Sequence, residues 1–321
     1  MIDFRYHLVS LVSVFLALAV GIALGAGPLK GPIGTALTSE VQALREAKDQ
    51  LRGELDTAEA GIAHRDDFTA ATTPALVADT LTGRAVLIIT VPDADRAEVK
   101  DLTAGLAAAG ATIVGPVEID SSWTDTGGRT ARTDALDRLA ADLPAGLGTD
   151  ATDGDKLGAL LARALLVADE PESDPDGAAW ARILTALTDT GLISADGPVD
   201  TPATGAVLIA PGVQEAVAGE APSPTSGQGL GSTWRDLAEA LDHAGAGAVV
   251  LGPASSATAG GVISSVRSDS TASEAVSTVD TGSTPMGVIA TVLALREQFA
   301  GAAGAYGFGD GATAALPGMT S

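Results

Sequence analysis

Residues 85–91 read AVLIITV: Ala85, Val86, Leu87, Ile88, Ile89, Thr90 and Val91. A strand with one wet face alternates apolar and polar side chains, and this run does not. It suits a strand covered on both faces, as in a parallel sheet. Residues 206–210 (AVLIA) and 248–251 (AVVL) have the same character, and Thr112-Ile113-Val114 is a shorter candidate. Helical periods lie between these runs. Val99, Leu102, Leu106 and Ala109 share one face, and so do Trp234, Leu237, Ala238 and Leu241, with Ser232 or Thr233 as a cap. Residues 155–167 and 178–190 also read as helices. Strands alternating with helices predict an α/β domain over 83–300, with a Rossmann-like or flavodoxin-like parallel sheet. A membrane β-barrel would instead need segments alternating between lipid and lumen.

Upstream, the period changes to seven. Val41, Lys48, Leu55 and Ile62 form one row, and Leu37, Leu44, Leu51 and Ala58 form another, offset as the a and d positions of a heptad. This predicts a coiled-coil helix over 37–66. Lys48 in the seam lowers stability but restricts register. Glu40 and Arg45 can pair between two chains, whereas Glu54 and Glu59 in the same relation repel. Two readings follow. Val41, Leu44, Lys48, Leu51, Leu55 and Ile62 form a partner interface with a second copy or another helix, or the stalk packs on its own domain.

Further upstream, residues 8–26 carry no charge and nothing more polar than Ser10 and Ser13. The run is long enough to cross a ~30 Å hydrocarbon core, and its apolar residues occupy every face. A cleaved signal peptide is the competing reading, with Ala23-Leu24-Gly25 as a cleavage site. Its apolar core would be shorter, about 7–15 residues. An uncleaved anchor is therefore expected. Arg5, His7 and the terminal amine place residues 1–7 in the cytoplasm by the positive-inside rule, although Lys30 counts against it. Residues 27–36 then form a Gly/Pro hinge, and the bulk of the chain is extracytoplasmic. The Gly/Ala-rich segment 301–321 reads as a flexible tail.

Composition excludes several functions. With 41 acidic against 18 basic residues the formal charge is −23, which repels nucleic acid and anionic lipid headgroups. There is no cysteine, so disulfides, thiolate metal sites and thiol nucleophiles are excluded. No second apolar run approaches membrane length, and aromatics are 3% of residues, so the core must be aliphatic.

Three strand candidates end at proline: Val91-Pro92-Asp93, Ala210-Pro211-Gly212 and Gly252-Pro253. Ligands of open α/β sheets bind beyond the carboxyl ends of strands. Asp93, Gly212 and Pro253 therefore mark a possible pocket, unless the prolines simply stop the strands. No G-x-G-x-x-G follows a strand: residues 227–231 have the wrong spacing and 307–311 lie after a helix. His7, His64 and His243 accompany no nucleophile elbow. The Asp pairs near helix starts read as caps. Residues 174–177 lack the ends of a calcium loop. The acidic, Pro-rich stretch 169–177 and the Pro/Ser/Gly-rich stretch 220–227 read as exposed loops. No catalytic residue, cofactor site or metal ligand set is expected.

Two motif blocks carry a resemblance. Ile2-Asp3-Phe4-Arg5-Tyr6-His7 with Val9-Ser10-Leu11 and 14–21 forms the first. Val276-Ser277-Thr278-Val279-Asp280, Thr284-Pro285, Gly287, 292–295 and Gly304-Ala305-Tyr306-Gly307 form the second. They resemble the actinobacterial MctB/SteB family, in the same layout of span, coiled coil and α/β domain. The resemblance implies two roles. One is a single-pass, non-catalytic partner of a SteA-like membrane protein in cell-wall remodelling at division, linked to a peptidoglycan hydrolase. The other is copper efflux through an envelope channel. Copper is poorly matched by the donors here, because Cu(I) selects thiolate and thioether and Cu(II) favours imidazole. The partner role is therefore the first expectation and copper transport the alternative.

Overall fold

The computed structural model describes residues 3–25, 30–148, 150–167, 179–197, 199–213 and 230–318. The loops expected at 169–177 and 220–227 lie outside these, as do Met1 and Met319. The chain divides into two compact units, residues 1–65 and 66–321.

The first unit is helical. Helix α1 (Asp3–Gly25) covers residues 8–25 of the span expected over 8–26, and Ala26 lies outside the described residues. Its 22-residue stretch Phe4–Gly25 is ~33 Å long at 1.5 Å per residue, enough to cross a bilayer core. Helix α2 (Lys30–Val77) is longer at both ends than the expected 37–66. Proline is tolerated in a first helical turn, so residues 30–36, read as hinge, are helical. At the other end Thr73 and Val77 are buried within the second unit, which holds the helix past residue 66.

The second unit is an α/β body. Its strands are β1 (Ala85–Thr90), β2 (Thr112–Ile119), β3 (Ile193–Ala195), β4 (Gly205–Ile209), β5 (Ala248–Leu251), β6 (Ser277–Val279) and β7 (Ala305–Tyr306). Its further helices are α3 (Arg96–Ala108), α4 (Arg129–Arg138), α5 (Asp153–Leu165), α6 (Ala179–Asp189), α7 (Gly231–Ala244), α8 (Val262–Ser268), α9 (Ser270–Ala275) and α10 (Pro285–Gln298). The sheet order is β3-β2-β1-β4-β5-β6-β7. Every pairing is parallel except β2 with β3. Among β1, β2, β4, β5 and β6 the order in chain sequence is 2-1-3-4-5. That is the flavodoxin-like arrangement, with its switch point between β1 and β4.

The unbroken apolar runs now have their reason. Leu87, Ile89 and Val91 join one core, while Val86 and Ile88 join the other. Ala206 and Leu208 are separated from Val207 and Ile209, and Val250 from Val249 and Leu251, in the same way. Side chains alternate along a strand, so two covered faces require every position to be apolar. Helices α5, α6 and α7 supply the first core, and α3, α10 and the end of α2 supply the second.

Three expectations need correction. The candidate strand at Thr112 continues to Ile119, well past Val114. Helix α7 takes Leu230 as its N-cap, with no side-chain cap bond, so Ser232 and Thr233 lie inside the first turn. The segment after Gly301, expected to be flexible, supplies β7 and is bonded to the sheet as far as Ala314. The Asp280 carboxylate accepts from the backbone N–H groups of Phe308 and Gly309, each at 2.9 Å. Arg267 donates to Asp280 at 2.9 Å and to the carbonyls of Tyr306 and Asp310 at 3.0 and 2.8 Å. A Cβ on Gly307, whose φ is +126°, would sit 1.8 Å from an Asp280 oxygen, so this wrap needs glycine.

Candidate functional site

The carboxyl ends of β1 and β4 are closed by Pro92 and Pro211, which cannot extend a ladder of N–H donors. Beyond them, at the switch point, lies a crevice. Its inner part, about 120 Å³, is bounded by Pro92, Asp93, Asp125, Pro211, Leu230 and Trp234. A wider outer part of about 540 Å³ runs along residues 121–128.

The wall at 121–128 is two 3₁₀ turns, Ser121–Trp123 and Thr126–Gly128. Three contacts fix it. The Asp120 carboxylate accepts from the Ser122 N–H at 2.8 Å, and that bond holds its pKa below the usual carboxylate value. Arg132 donates to the carbonyls of Ser122 and Asp125, the latter at 2.8 Å. Trp123 is buried in the core. A Cβ on Gly128 would lie 1.9 Å from the Ser122 carbonyl, so the turn closes only with glycine there. On the opposite wall Asp93 has φ of 67°, a left-handed conformation that Asp adopts more readily than most residues. Neighbouring Asp95 caps α3 through the Ala97 N–H at 2.8 Å.

Of the residues expected at a pocket, Asp93 borders the crevice. Gly212 and Pro253 do not; they meet each other at the ends of β4 and β5, where a Cβ on Gly212 would be 3.1 Å from Pro253. The strand candidate Thr112-Ile113-Val114 stops five residues short of the end of β2 at Ile119, so the turn at its exit, residues 121–128, has no place in the sequence reading. The signal was Asp120-Ser121-Ser122, an Asp positioned to cap the turn that follows.

A second polar locus lies at the start of α3. Glu98 is 4% exposed and its Oε2 has no hydrogen-bond partner; Thr281 is 8% exposed and its Oγ1 has none either. The two groups flank Gly282, where an added Cβ would lie 3.0 Å from Glu98 Oε1 and 2.9 Å from the Gly252 carbonyl. Burial, and secondarily the Asp95 charge, raise the Glu98 pKa to about 7.

The heptad row of α2 is solvent-facing, from 40% exposure at Val41 to 66% at Leu44, with Leu51, Leu55 and Ile62 between. Among the described residues no group of three or more His, Asp or Glu side chains is placed to hold a metal ion. Met286 is half-buried on α10.

These parts define a class: an apolar N-terminal helix long enough to span a membrane, a long helix, and an α/β body of flavodoxin-like strand order. A family model described as "Copper transport outer membrane protein, MctB" matches residues 1–317. The chain belongs to the MctB family. Proteins named "Copper transporter MctB" from Mycobacterium tuberculosis (strain ATCC 25618 / H37Rv) and Mycobacterium leprae (strain TN) are 30% and 31% identical to it over 198 residues. Those matches cover 60% of this chain and 62% of each relative.

Proposed function

We propose that this protein serves copper export across the envelope as a membrane-anchored, water-facing module, with residues 1–7 cytoplasmic and the α/β body outside. Membership of the MctB family carries the copper reading, over the partner role first expected. The fold argues for the form of participation. The sheet is covered on both faces, so its strands present no side to lipid, and the donors near the crevice are oxygens. Carboxylates and hydroxyls bind copper less selectively than sulfur or imidazole. The body therefore acts beside a conduit rather than lining one. A strain lacking the gene should accumulate copper, measured by mass spectrometry of washed cells, and the full-length gene should restore export. The purified chain in planar bilayers should give no copper current. Unchanged cellular copper, or a current from the chain alone, refutes this reading.

A second reading is favoured by the solvent-facing row on α2. Each buried Val or Leu stabilises an interface by at most ~1.5–3 kcal/mol, so five such residues can hold a helix of another protein. A SteA-like membrane protein acting in wall remodelling is the partner the sequence resemblance implies. Leu51→Glu or Leu55→Glu should abolish site-specific crosslinking through α2 in membranes while leaving the fluorescence of the α/β body unchanged. Crosslinking equal to wild type would remove this interface.

A further inference from the structure

The geometry points to the switch-point crevice as a binding site for a neutral, hydroxyl-rich ligand of the carbohydrate class, independent of the copper reading. Its position is where open α/β sheets bind ligands, and its outer volume of about 540 Å³ falls within the ~300–1,000 Å³ of small-molecule sites. Three features select the ligand. Among the described residues the lining includes no Lys, Arg or His, and Arg132, which fixes the wall, is occupied by the carbonyls of Ser122 and Asp125. Within that described lining, a phosphate or carboxylate ligand would meet the Asp93 and Asp125 carboxylates and no cationic side chain. Among the described residues no His or Met lines the crevice, and the chain has no Cys, so soft metals lack their donors in this lining.

What remains is a lining that both donates and accepts. Among the described residues, the Asp93 and Asp125 carboxylates and the Ser121 and Thr126 hydroxyls make no hydrogen bond. A carboxylate can accept from two adjacent ligand hydroxyls, and Ser and Thr can donate as well as accept. A purely cationic ligand would leave the hydroxyl donors unused. Between these groups, Pro92, Pro211 and Leu230 give the inner part an apolar lining, against which the C–H face of a sugar ring can lie. The lining that ends the strands thus also shapes the site.

The test uses the full chain in phosphatidylcholine nanodiscs, which avoids glycoside detergents. Maltotriose, cellotriose, chitotriose and arabinotriose are titrated, with saturation-transfer NMR and tryptophan fluorescence as readouts. At least one should bind saturably. Asp125→Asn and Asp93→Asn should each weaken it at least tenfold, and Asn tolerates the left-handed backbone at 93. Asp137→Asn, an exposed carboxylate on α4 away from the crevice, should leave binding unchanged, and matched circular dichroism shows that the variants are folded. Absence of saturable binding by all four sugars overturns the proposal. So does saturation by calcium chloride or spermidine, but by no sugar, with sensitivity to the same two substitutions, since that would make the crevice a cation site.

Discussion

Asp280→Ala should lower the unfolding free energy of the α/β body by about 3–5 kcal/mol, the usual cost of leaving one member of a buried ion pair alone. The Arg267 and Asp280 side chains are 5% and 1% exposed and meet at 2.9 Å. Truncating Asp280 leaves the Arg267 charge buried and takes the acceptor away from the Phe308 and Gly309 N–H groups. The loss should appear as a fall in the urea midpoint, followed through the three tryptophans, Trp123, Trp180 and Trp234, all within the second unit. Amide exchange should accelerate from Tyr306 to Gly309. Replacing both charges with Met at 267 and Leu at 280 should recover part of the loss, because no charge is then stranded. A midpoint for Asp280→Ala within error of wild type would mean that the knot contributes little to the fold.

Glu98→Gln should act in the opposite direction and only at higher pH. The folded pKa, about 7, lies above the reference value of 4.5. Below pH 4.5 both states hold the proton and burial of the neutral acid costs no charge. Between 4.5 and 7 the unfolded chain loses the proton first, so wild-type stability falls as pH rises. Above 7 the full penalty is present, about 3 kcal/mol for a shift of this size. The Gln variant keeps the shape without the charge. It should match wild type near pH 4.5, exceed it in thermal and urea stability at pH 8, and lose the slope between them. Identical pH profiles for the two proteins would show that Glu98 does not titrate in this range. Asp95 is the charged neighbour that raises the Glu98 pKa further, so Asp95→Asn should shift the wild-type midpoint modestly downward.

Both predictions concern residues whose structural role no local pattern revealed. Asp280 stood in a recognisable motif block, Val276 to Asp280, beside a second stretch, Gly304 to Gly307. The structure shows why the two belong together: β6 and β7 pair in parallel, Thr278 with Ala305 and Val279 with Tyr306, and the Asp280 carboxylate seats the turn that follows. Composition alone made residues 301–318 look loose, since Gly and Ala bury little surface. A few charge-assisted bonds at the sheet edge outweigh that composition. Glu98 looked like an ordinary acidic residue in the first turn of a helix, where the dipole favours it. It is buried beside Gly282, in the turn after β6, which itself lies against Gly252 just past the end of β5, both far along the chain.

The candidate crevice was half legible. Asp93 follows a strand-ending proline, and the rule that ligands sit beyond the carboxyl ends of strands pointed there. Gly212 and Pro253 satisfied the same rule and instead fill each other's space, because Ser255 and Pro253 crowd the exit of β4. The 121–128 wall depended on where β2 stops, and strand ends are set by pairing partners rather than by propensity. Val117 to Ile119 extend the strand because β3 pairs with them in antiparallel register, and that short partner left no periodic trace.

Local pattern by itself determined the class of the long, strongly patterned elements, though not of β3, β7 or the start of α2. The uncharged run of residues 8–26 is long and apolar enough to cross a bilayer, and a run apolar at every position needs cover on both faces. Both follow from the cost of exposing apolar groups to water or polar groups to lipid, and each is counted residue by residue. Tertiary structure alone decided the strand order, the placement of the switch point, which strand-end residues border a crevice, and which acids are buried. Those depend on elements distant in sequence arriving at one place, where a charge meets its partner or finds none.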